Sequence, residues 1–394
     1  MKTSTLPTPG FALPENAAEL SLTLDGETPV FCFSPSTLLA RSKTFIDGFK
    51  GEVSFAVKSN PSREVIATLA QAGLKAWDVA SIPEMALVQA IQPKAHFHYH
   101  NPVKSRREIE TAYRQHGCRR FCIDCREELA KILAIVGDDR NIEIAVRFVL
   151  PRDRGTSAHD FSSKFGAPEH IAIELLKRVK AEGFVPVLTF HPGSQAKDPQ
   201  TYARHIEAAA RLVKTSGVEI KTLNVGGGFP ADYELSKAPE PEIYFRMIEV
   251  ARDRHFAGLQ IPALECEPGR GLVASCMSLL TSIKLVCTDG DDIFINDGVY
   301  GGLMEYWQVP ELKPPQRAIR GGKIHGGPIK SWKVFGPTCD PMDVLPHALD
   351  LPADLRDGDF IEFGMMGAYG ISTLTHFNGY GANIVQSVGS VLNS

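Results

Sequence analysis

The chain has 394 residues, of which 43% are hydrophobic and 22% charged, a profile typical of soluble globular proteins. Its 46 acidic and 42 basic side chains leave a formal net charge of −4, so no overall positive charge favours nucleic acid or an anionic membrane. No run of about 18 apolar residues predicts a membrane span, and no basic stretch followed by an apolar run predicts a secretory leader. Eight scattered cysteines in such a chain are typical of reduced thiols, so we expect a cytoplasmic protein.

The first part of the chain, through residue 33, contains two strand-like segments, at residues 21–24 and 30–33. They offer partners for a sheet built much later in the chain. In that case the middle of the chain is a domain inserted into a β domain.

The middle of the chain alternates short apolar runs with longer amphipathic segments, which is the pattern of repeated strand and helix units. Helices with apolar residues three and four apart are predicted at residues 63–72, 105–115, 127–135 and 172–182. Eight strands are predicted at residues 53–57, 75–78, 95–100, 119–123, 143–148, 186–191, 221–225 and 262–267. This pattern favours a closed (β/α)8 barrel, and a doubly wound open sheet stays the alternative.

After about residue 270 the strand-like runs are separated by Gly, Pro and Asp rather than by helices, which predicts an antiparallel β domain. These runs lie at residues 279–287, 292–295, 332–335 and 359–362. The expected organisation is an N-terminal segment of the β domain at residues 1–33, a barrel at 34–270 and a C-terminal β domain at 271–394. A chain of this length is too long for one ordinary core.

Polar residues and glycines follow the predicted strands at their carboxyl ends, where barrel enzymes carry their active sites. A lone lysine is usually a solvated surface residue, but here a lysine shares this rim with several other chemically active groups. The rim residues are Lys58, Asp78, Arg147, His191, Gly226, Gly227, Gly228 and Glu267.

Three of these features together are the minimum set for pyridoxal 5′-phosphate (PLP). A triple glycine leaves backbone N–H groups open to a phosphate, although by itself it is as typical of a simple turn. A buried lysine with a lowered pKa can form a Schiff base with an aldehyde, and Lys58 is the candidate. A carboxylate such as Glu267 beside a pyridine nitrogen keeps that nitrogen protonated.

Nine short motifs from about residue 28 to the C-terminus occur in the order of a known family, the fold-type III PLP-dependent decarboxylases. The chain resembles the ornithine and diaminopimelate decarboxylases of that family, and INDGVYG and GPTCD are closer to the ornithine branch. The family has an alanine racemase-like fold, a barrel plus a β domain. The motifs are FAVKSNP (55–61), WDVAS (77–81), HPGSQ (191–195), NVGGGFP (224–230), CEPGR (266–270), INDGVYGG (295–302), GPTCDPMD (336–343), MGAY (366–369) and FNGY (377–380).

The resemblance implies a cofactor site. Lys58 is expected to form the Schiff base, Glu267 to pair with the pyridine nitrogen, and His191 to stack on the ring. Asp78 and Arg147 are expected to support the lysine and the ring region. Phosphate binding is expected from Ser194, Gly227, Gly228, Arg270 and Tyr369.

The resemblance also implies a substrate site at a homodimer interface. Cys339 and Asp340 are expected to enter from the partner subunit, where Cys339 controls protonation after CO₂ leaves and Asp340 contacts the substrate. Phe377 is expected to line the cavity. The expected reaction is decarboxylation of a basic L-amino acid, ornithine or lysine, to an amine of polyamine biosynthesis.

One position departs from the family pattern. Ornithine decarboxylases usually carry an aspartate twelve residues after the Asp of NDGVYG, and Val309 stands there in this chain. Glu305 or Glu311 is a candidate to replace it, and an extended or N-acylated diamino acid of a siderophore-type pathway is the alternative substrate. A racemase is disfavoured because racemases generally place an arginine, not Glu267, at the pyridine nitrogen. A non-catalytic relative is disfavoured because Lys58, Glu267, Arg270 and Cys339 are all present.

Three further patterns suggest metal sites, and we predict no metal at any of them. Cys118, Cys122 and Cys125 have the spacing of an iron–sulfur motif, but a strand through them points neighbouring thiols to opposite faces. His96, His98 and His100 alternate and share one face of a strand, where we expect them to fill the barrel interior. The acidic stretch at residues 289–292 is predicted to be a turn, because it lacks the spacing of a calcium loop.

Overall fold

The structure is a computed structural model that describes residues 13–150, 164–287, 289–381 and 384–393. The chain divides into two compact units. The barrel unit comprises the described residues of Ser42–Pro230 and Ala238–Gly271, and the sheet unit comprises those of Met1–Arg41, Ala231–Lys237 and Leu272–Ser394. We predicted domain boundaries after residues 33 and 270. That these positions are the limits of the domains stays a prediction.

The strands and helices of the described residues are numbered here in chain order. The strands are β1 Val30–Phe33, β2 Glu52–Ala56, β3 Ala76–Val79, β4 His96–Tyr99, β5 Arg120–Ile123, β6 Glu143–Arg147, β7 Val185–Thr189, β8 Thr222–Asn224, β9 Ala263–Cys266, β10 Met277–Val286, β11 Asp292–Ile295, β12 Gln316–Arg320, β13 Lys323–His325, β14 Ile329–Phe335, β15 Leu349–Pro352, β16 Phe360–Phe363 and β17 Val385–Ser387. The helices are α1 Ala17–Ser21, α2 Pro35–Gly48, α3 Arg63–Gln71, α4 Ile82–Ile91, α5 Arg106–Arg114, α6 Arg126–Val136, α7 Glu169–Ala181, α8 Gln200–Ser216, α9 Pro241–His255, α10 Arg270–Val273, α11 Met304–Gln308 and α12 Gly370–Thr373. Short 3₁₀ turns lie at Val57–Ser59, Ala274–Cys276 and Phe377–Gly379.

The barrel unit is a closed barrel of eight parallel strands, β2 to β9, in which β9 pairs with β2. The predicted (β/α)8 barrel is therefore confirmed, and the doubly wound sheet is excluded. Each of the eight strands begins and ends within two residues of its predicted position.

The helices around the barrel follow from their apolar faces and caps. In α3, for example, Val65, Ile66 and Leu69 are buried. Helix α5 begins at a capping box, in which Ser105 and Glu108 each accept the other's backbone N–H. Such caps use N–H groups that have no partner within the helix, which explains why the helix begins at this position.

The barrel interior is only partly apolar. A small buried cluster is formed by Cys122, Ala145 and Val187, which belong to the adjacent strands β5, β6 and β7. Much of the remaining interior carries charged and polar side chains, which form the network described with the site.

The sheet unit contains one sheet of nine strands, in which β13, β12, β16, β10, β11, β14 and β15 follow in order. Strand β1 also pairs with β10, and β17 pairs with β1. The predicted antiparallel β domain is confirmed as mostly antiparallel, with parallel pairings between β1 and β17 and between β11 and β14. Strand β1 pairs with β10, so the N-terminal strand at residues 30–33 does join this sheet.

The strand predicted at residues 21–24 is wrong. Helix α1 ends at Ser21 and a turn follows it. The physical reason is a helix cap, because the side chain of Asn16 accepts the backbone N–H groups of Ala18 and Glu19.

Within the described ranges, no helix has the length and apolar character that crossing a membrane requires. All eight cysteines are free thiols.

Candidate active site

The closed barrel brings Lys58, Asp78, His191 and Glu267 to the same rim, since each lies at or just after the carboxyl end of a barrel strand. The Lys58 charge acts on the pKa values of the other three groups. Lys58 itself lies in the 3₁₀ turn after β2 and its side chain is exposed, so the expectation of a buried lysine is wrong. The turn buries the neighbouring Val57 and Ser59 instead.

Two buried carboxyl groups at this rim have opposite pKa shifts. Burial, together with the nearby charge of Glu267, raises the pKa of Asp78 to about 7. Burial also acts to raise the pKa of Glu267, but the His100 charge and hydrogen bonds from His100 and Asn224 outweigh it and hold that pKa well below its usual range. At neutral pH Glu267 is therefore ionised, while Asp78 is partly protonated.

Both hydrogen bonds to Glu267 end on one oxygen. Nδ1 of His100 forms a short hydrogen bond with Oε1 of Glu267, and Nδ2 of Asn224 donates to the same oxygen at 2.6 Å. Burial acts to lower the pKa of His100, but the Glu267 charge raises it overall. None of the described residues donates a hydrogen bond to Oε2, which leaves that oxygen for a ligand.

A second carboxylate, Glu265, lies deeper in the barrel and is fully buried. It accepts a hydrogen bond from Nδ2 of Asn224 at 3.0 Å, and Nδ1 of His98 lies 2.7 Å from the same oxygen, Oε1. The guanidinium of Arg120 pairs with its other oxygen and also donates to Glu143 at 2.7 Å. Burial acts to raise the pKa of Glu265, but His98 and Arg120 lower it to about 2.

The strand register explains this network. Asp78, His98, Arg120 and Glu143 are aligned across β3, β4, β5 and β6, so their side chains share the interior face. Sequence reasoning did not assign roles to Asn224 and Glu265. The available signal was alternation, since Glu265 and Glu267 are two residues apart on one strand, as are His98 and His100.

The three alternating histidines are only partly in the interior. His98 and His100 are buried with stacked rings whose centroids lie 5.6 Å apart. His96 is exposed at the start of β4, so the expectation that all three fill the interior is wrong for this residue. The first residue of β4 lies at the open end of the barrel, where water reaches it.

The triple glycine forms a tight loop against neighbouring backbone. Gly226 and Gly228 have φ angles of +69° and +87°, and a Cβ atom on either would lie within 2.4 Å of a carbonyl oxygen. A Cβ on Gly227 would lie 2.6 Å from the Glu267 carbonyl oxygen. Only glycine fits at these positions, so this segment brings its backbone close to the rim.

Two predicted phosphate ligands lie beside this loop. The carbonyl oxygen of Gly228 accepts the N–H of Ala196, the residue that follows HPGSQ, at 2.9 Å. Within HPGSQ, Ser194 is buried, and its Oγ lies 3.4 Å from Nη2 of the buried Arg270. A hydroxyl, a guanidinium and a glycine loop together form the donor set that suits a phosphate.

His191 lies beside the glycine loop. A Cβ atom added to Gly227 would be only 3.3 Å from Nε2 of His191. Burial, with the charges of Arg147 and Lys58, holds the pKa of His191 well below its usual value. Its Nδ1 accepts the N–H of Gly193 at 3.0 Å, so the neutral ring carries its proton on Nε2. A neutral flat ring suits stacking on a pyridine. Arg147 ends β6, with its guanidinium 5.6 Å from the centre of the Phe165 ring.

The predicted substrate residues lie in the sheet unit. Asp340 accepts hydrogen bonds from the Tyr300 hydroxyl at 2.9 Å and from the N–H of Met342 at 2.8 Å, so its carboxylate is fixed. The Phe377 ring is 43% exposed and lies 4.8 Å from the Tyr300 ring. Cys339 is exposed, and its N–H donates to the side chain of Asn378 at 3.3 Å.

Helix α11 carries the predicted replacement for the missing aspartate. Glu305 is buried within this helix, and Val309 follows it with 5% exposure. The N–H of Val309 donates to the Glu305 carbonyl at 2.9 Å, which closes the last turn of the helix. Glu311 is exposed. Of the two candidate glutamates, only Glu305 is therefore held in the protein interior.

Tyr369 is at the N-cap of α12 with φ of +60°. Within the described part of the chain, the other non-glycine residues with positive φ are Gln195, Met365 and Asn378. Tyr369, Gln195 and Asn378 belong to the nine motifs, and Met365 immediately precedes one of them. Such conformations are unfavourable for residues with a Cβ and cluster at functional sites.

The described residues contain two groups of side chains with the spacing of metal ligands. They are Asp78 with His100 and Glu267, and Glu52 with His98 and Glu265. In the second group Arg120 already supplies the positive charge to Glu265. The three cysteines of the iron–sulfur spacing form no such group in the described ranges, and the Cys118 thiol donates to the Arg120 carbonyl at 3.2 Å.

The residues of the barrel rim fit PLP. They supply an accessible amine on Lys58, an ionised carboxylate on Glu267 with one oxygen available, and a neutral ring on His191. The glycine loop with Ser194 and Arg270 supplies donors for a phosphate. The fold and this donor set define a PLP enzyme built on a (β/α)8 barrel.

Comparisons with known proteins agree. A family model described as pyridoxal-dependent decarboxylase, pyridoxal binding domain, matches residues 36–274. The lysine/ornithine decarboxylase of Selenomonas ruminantium is 31% identical over 343 residues, covering 83% of this chain and 81% of that protein. The ornithine decarboxylase of Cricetulus griseus is 32% identical over 352 residues, covering 83% and 73% respectively. A lysine/ornithine decarboxylase from Vibrio vulnificus, solved with putrescine, matches with a TM-score of 0.78 at 26% identity over 95% of this chain and 97% of that one.

The chain therefore belongs to the fold-type III pyridoxal-dependent decarboxylases, near their ornithine decarboxylase branch. It is a lyase that uses PLP to decarboxylate an amino acid.

Proposed function

We propose that the substrate is a basic L-amino acid, ornithine or lysine, and that the products are a diamine and CO₂. The observation that carries this proposal is the fixed carboxylate of Asp340, which the Tyr300 hydroxyl and a backbone N–H orient within the GPTCD motif. A fixed carboxylate suits a distal ammonium group. Relatives named for lysine and ornithine support the same substrate class.

When bound, PLP supplies an aldehyde for an amine and a protonated ring that withdraws electrons from the carbon that loses CO₂. We assign its attachment to Lys58 and the partner of its ring nitrogen to Glu267. His191 covers the ring, while Asp78 and Arg147 support the lysine and the ring region. Phosphate binding is assigned to Ser194, Gly227, Gly228, Arg270 and Tyr369.

The remaining steps are proton transfer and substrate positioning. The Cys339 thiol delivers a proton to the carbon from which CO₂ has left, because its thiol is exposed and close in sequence to Asp340. Asp340 holds the distal ammonium, with Glu305 as a second carboxylate and Phe377 lining the cavity.

We include in this proposal a homodimer in which Cys339 and Asp340 serve the site of the other subunit. We also place the enzyme in the cytoplasm, which suits a protein whose eight cysteines are all free thiols.

The alternative substrate is an extended or N-acylated diamino acid, and the feature that favours it is Val309. A buried apolar side chain at this position does not pair with an ammonium group. An acylated nitrogen is neutral and needs no second carboxylate, so Val309 suits such a substrate better than it suits ornithine.

The test is CO₂ release by the PLP-loaded enzyme with L-ornithine, L-lysine, L-arginine, meso-diaminopimelate, the D-forms and N-acylated diamino acids. We expect turnover of ornithine or lysine. Asp340→Asn should raise KM for that substrate about tenfold or more, the effect of one charge-assisted hydrogen bond. Asp350→Asn, at an exposed position of β15, is the matched control. Turnover of acylated substrates alone would replace this proposal with the alternative.

A further inference from the structure

Two side chains inside the barrel, His100 and Asn224, hold the carboxylate of Glu267. His100 lies outside the nine motifs, and Asn224 is the first residue of NVGGGFP. His100 directly follows β4 and Asn224 ends β8, and both contact Oε1. Neither residue reaches the open side of the carboxylate. Both hydrogen bonds therefore fall on Oε1, and none of the described residues donates one to Oε2.

We propose that His100 is a positioning residue for the cofactor ring nitrogen, acting with Asn224 to hold Oε1 of Glu267 so that Oε2 alone receives the nitrogen. This inference rests on the proposed role of Glu267. A carboxylate with a single donor rotates about its terminal torsion, since that torsion is broad. Two donors on one oxygen, from different strands, fix the plane of the group and hence the direction of Oε2.

Charge supports the same arrangement. A buried carboxylate is costly unless it is paired and hydrogen-bonded, and His100 supplies both a charge and a hydrogen bond. Asp78 lies close by, since its oxygen, the His100 nitrogen and the Glu267 oxygen all lie within 4.8 Å of one another. Because Asp78 is partly protonated at neutral pH, the ionised carboxylate that His100 contacts directly is Glu267.

Asn224 connects this carboxylate to the phosphate loop. Its Oδ1 accepts the N–H of Gly226 at 2.7 Å, while its Nδ2 donates to Glu267 and Glu265. One amide therefore sets the distance between the partner of the ring nitrogen and the start of the glycine loop. The same residue therefore contacts both the carboxylate that would pair with the ring nitrogen and the first glycine of the loop that would hold the phosphate.

The other groups that face His100 are identified by their contacts. The His98 ring stacks on it from the same strand, and the Nδ2 atom of Asn224 lies 3.5 Å from its Nδ1. The charges of Asp78, Glu265 and Glu267 all raise its pKa. Its Nε2 is buried and has no hydrogen-bond partner among the described residues. The His100 ring therefore contacts Glu267 through Nδ1, while Nε2 forms no hydrogen bond with the described residues.

The test compares His100→Leu, which removes the donor, with His100→Asn, whose amide can replace Nδ1 without charge. His96→Leu is the matched control, because His96 is exposed on the same strand. The measurements are the dissociation constant of PLP, the circular dichroism of the bound cofactor, which reports its orientation, and kcat and KM separately. Thermal unfolding of each PLP-free variant checks that it is folded.

For His100→Leu we expect PLP to bind about tenfold or more weakly, the effect of one charge-assisted hydrogen bond, with a changed cofactor dichroism. The loss of activity should be in kcat rather than KM. His100→Asn should recover part of each effect, and His96→Leu should match the wild type. Unchanged PLP binding and dichroism in a folded His100→Leu protein would overturn the inference.

A double-mutant cycle separates this inference from the proposed role of Glu267. If His100 acts through Glu267, its substitution should change PLP affinity by less than about twofold in a Glu267→Gln background. An equal loss in both backgrounds would show that His100 acts independently and would overturn the positioning role. If Glu267→Gln itself left cofactor binding and turnover unchanged, the role of Glu267 in the proposed function would fail instead.

Discussion

Arg120 and Glu265 form an ion pair inside the barrel, where their side chains are 9% and 0% exposed. Arg120→Met should leave Glu265 buried without its guanidinium partner and lower the free energy of unfolding by about 3–5 kcal/mol. Lys221 also pairs with Glu143, but the Lys221 side chain is 59% exposed. Lys221→Met should therefore lower the free energy of unfolding by only about 0–1 kcal/mol. Urea unfolding of the three PLP-free proteins measures the difference. If both substitutions lowered the free energy of unfolding equally, burial would not explain how much the Arg120–Glu265 pair contributes to stability.

The attachment of the cofactor is tested at Lys58. Borohydride reduction of the PLP-loaded enzyme should add a stable label to the peptide that contains Lys58, because reduction converts the Schiff base to an amine. Lys58→Ala should lose the label and turn over orders of magnitude more slowly. Lys75→Ala, at an exposed position just before β3, should behave as the wild type. Full turnover by Lys58→Ala would remove this residue from the mechanism.

The proton donor is tested at Cys339. Cys339→Ala would lack the group that protonates the substrate carbon, so some turnovers would misplace this proton and end in an aldehyde and an aminated cofactor instead of the amine. We expect slower CO₂ release and a measurable aldehyde product. Cys287→Ala, a half-buried cysteine of the same unit, is the control. Wild-type rates and products in Cys339→Ala would rule out the assigned role.

The replacement of the missing aspartate is tested by comparing two glutamates. Glu305 is buried in α11 and Glu311 is exposed three residues after that helix. If Glu305 holds the distal ammonium, Glu305→Gln should raise KM for the diamino acid about tenfold while changing kcat little. Glu311→Gln should change neither. If both substitutions had similarly small effects on KM, Glu305 would not contact the distal ammonium, and Asp340 would be its carboxylate partner.

Stability should fall as pH rises because of Asp297. Its carboxylate accepts the N–H groups of Gly298 and Gly302, but burial raises its pKa to about 7 from 3.8. The folded state therefore binds more protons than the unfolded state between these values, so the stabilisation is complete below the lower value and is lost as pH rises through about 7. The slope reaches about 1.4 kcal/mol per pH unit for each such group.

Urea unfolding of the PLP-free protein from about pH 5 to about pH 8 measures this slope. Asp297→Asn should be less stable but less dependent on pH, while Asp291→Asn, which is exposed, should keep the wild-type slope. Part of the slope should persist in Asp297→Asn, because Asp78 has a pKa raised in the same direction. If Asp297→Asn had the same slope of unfolding free energy against pH as the wild type, Asp297 would be ionised throughout this pH range in the folded protein.

Much of the barrel was predictable from the chain alone. Repeated apolar runs gave all eight strands within two residues, because the strands of a parallel barrel are buried and the residues that alternate with the polar interior positions are apolar. The rim residues followed, since a polar residue directly after such a run lies at the carboxyl end of the strand. Strands β12, β13, β15 and β17 were not predicted, because they are short and mixed in polarity.

The sequence by itself determined which residues share a face, since alternation on a strand places His98 with His100 and Glu265 with Glu267. Only the tertiary structure decided that these four side chains meet across the barrel and that His96 and Lys58 are exposed. The physical reason is that alternation is a local property. Contacts between β4 and β9 depend instead on how eight strands close and in which register, which residues far apart in the chain settle together.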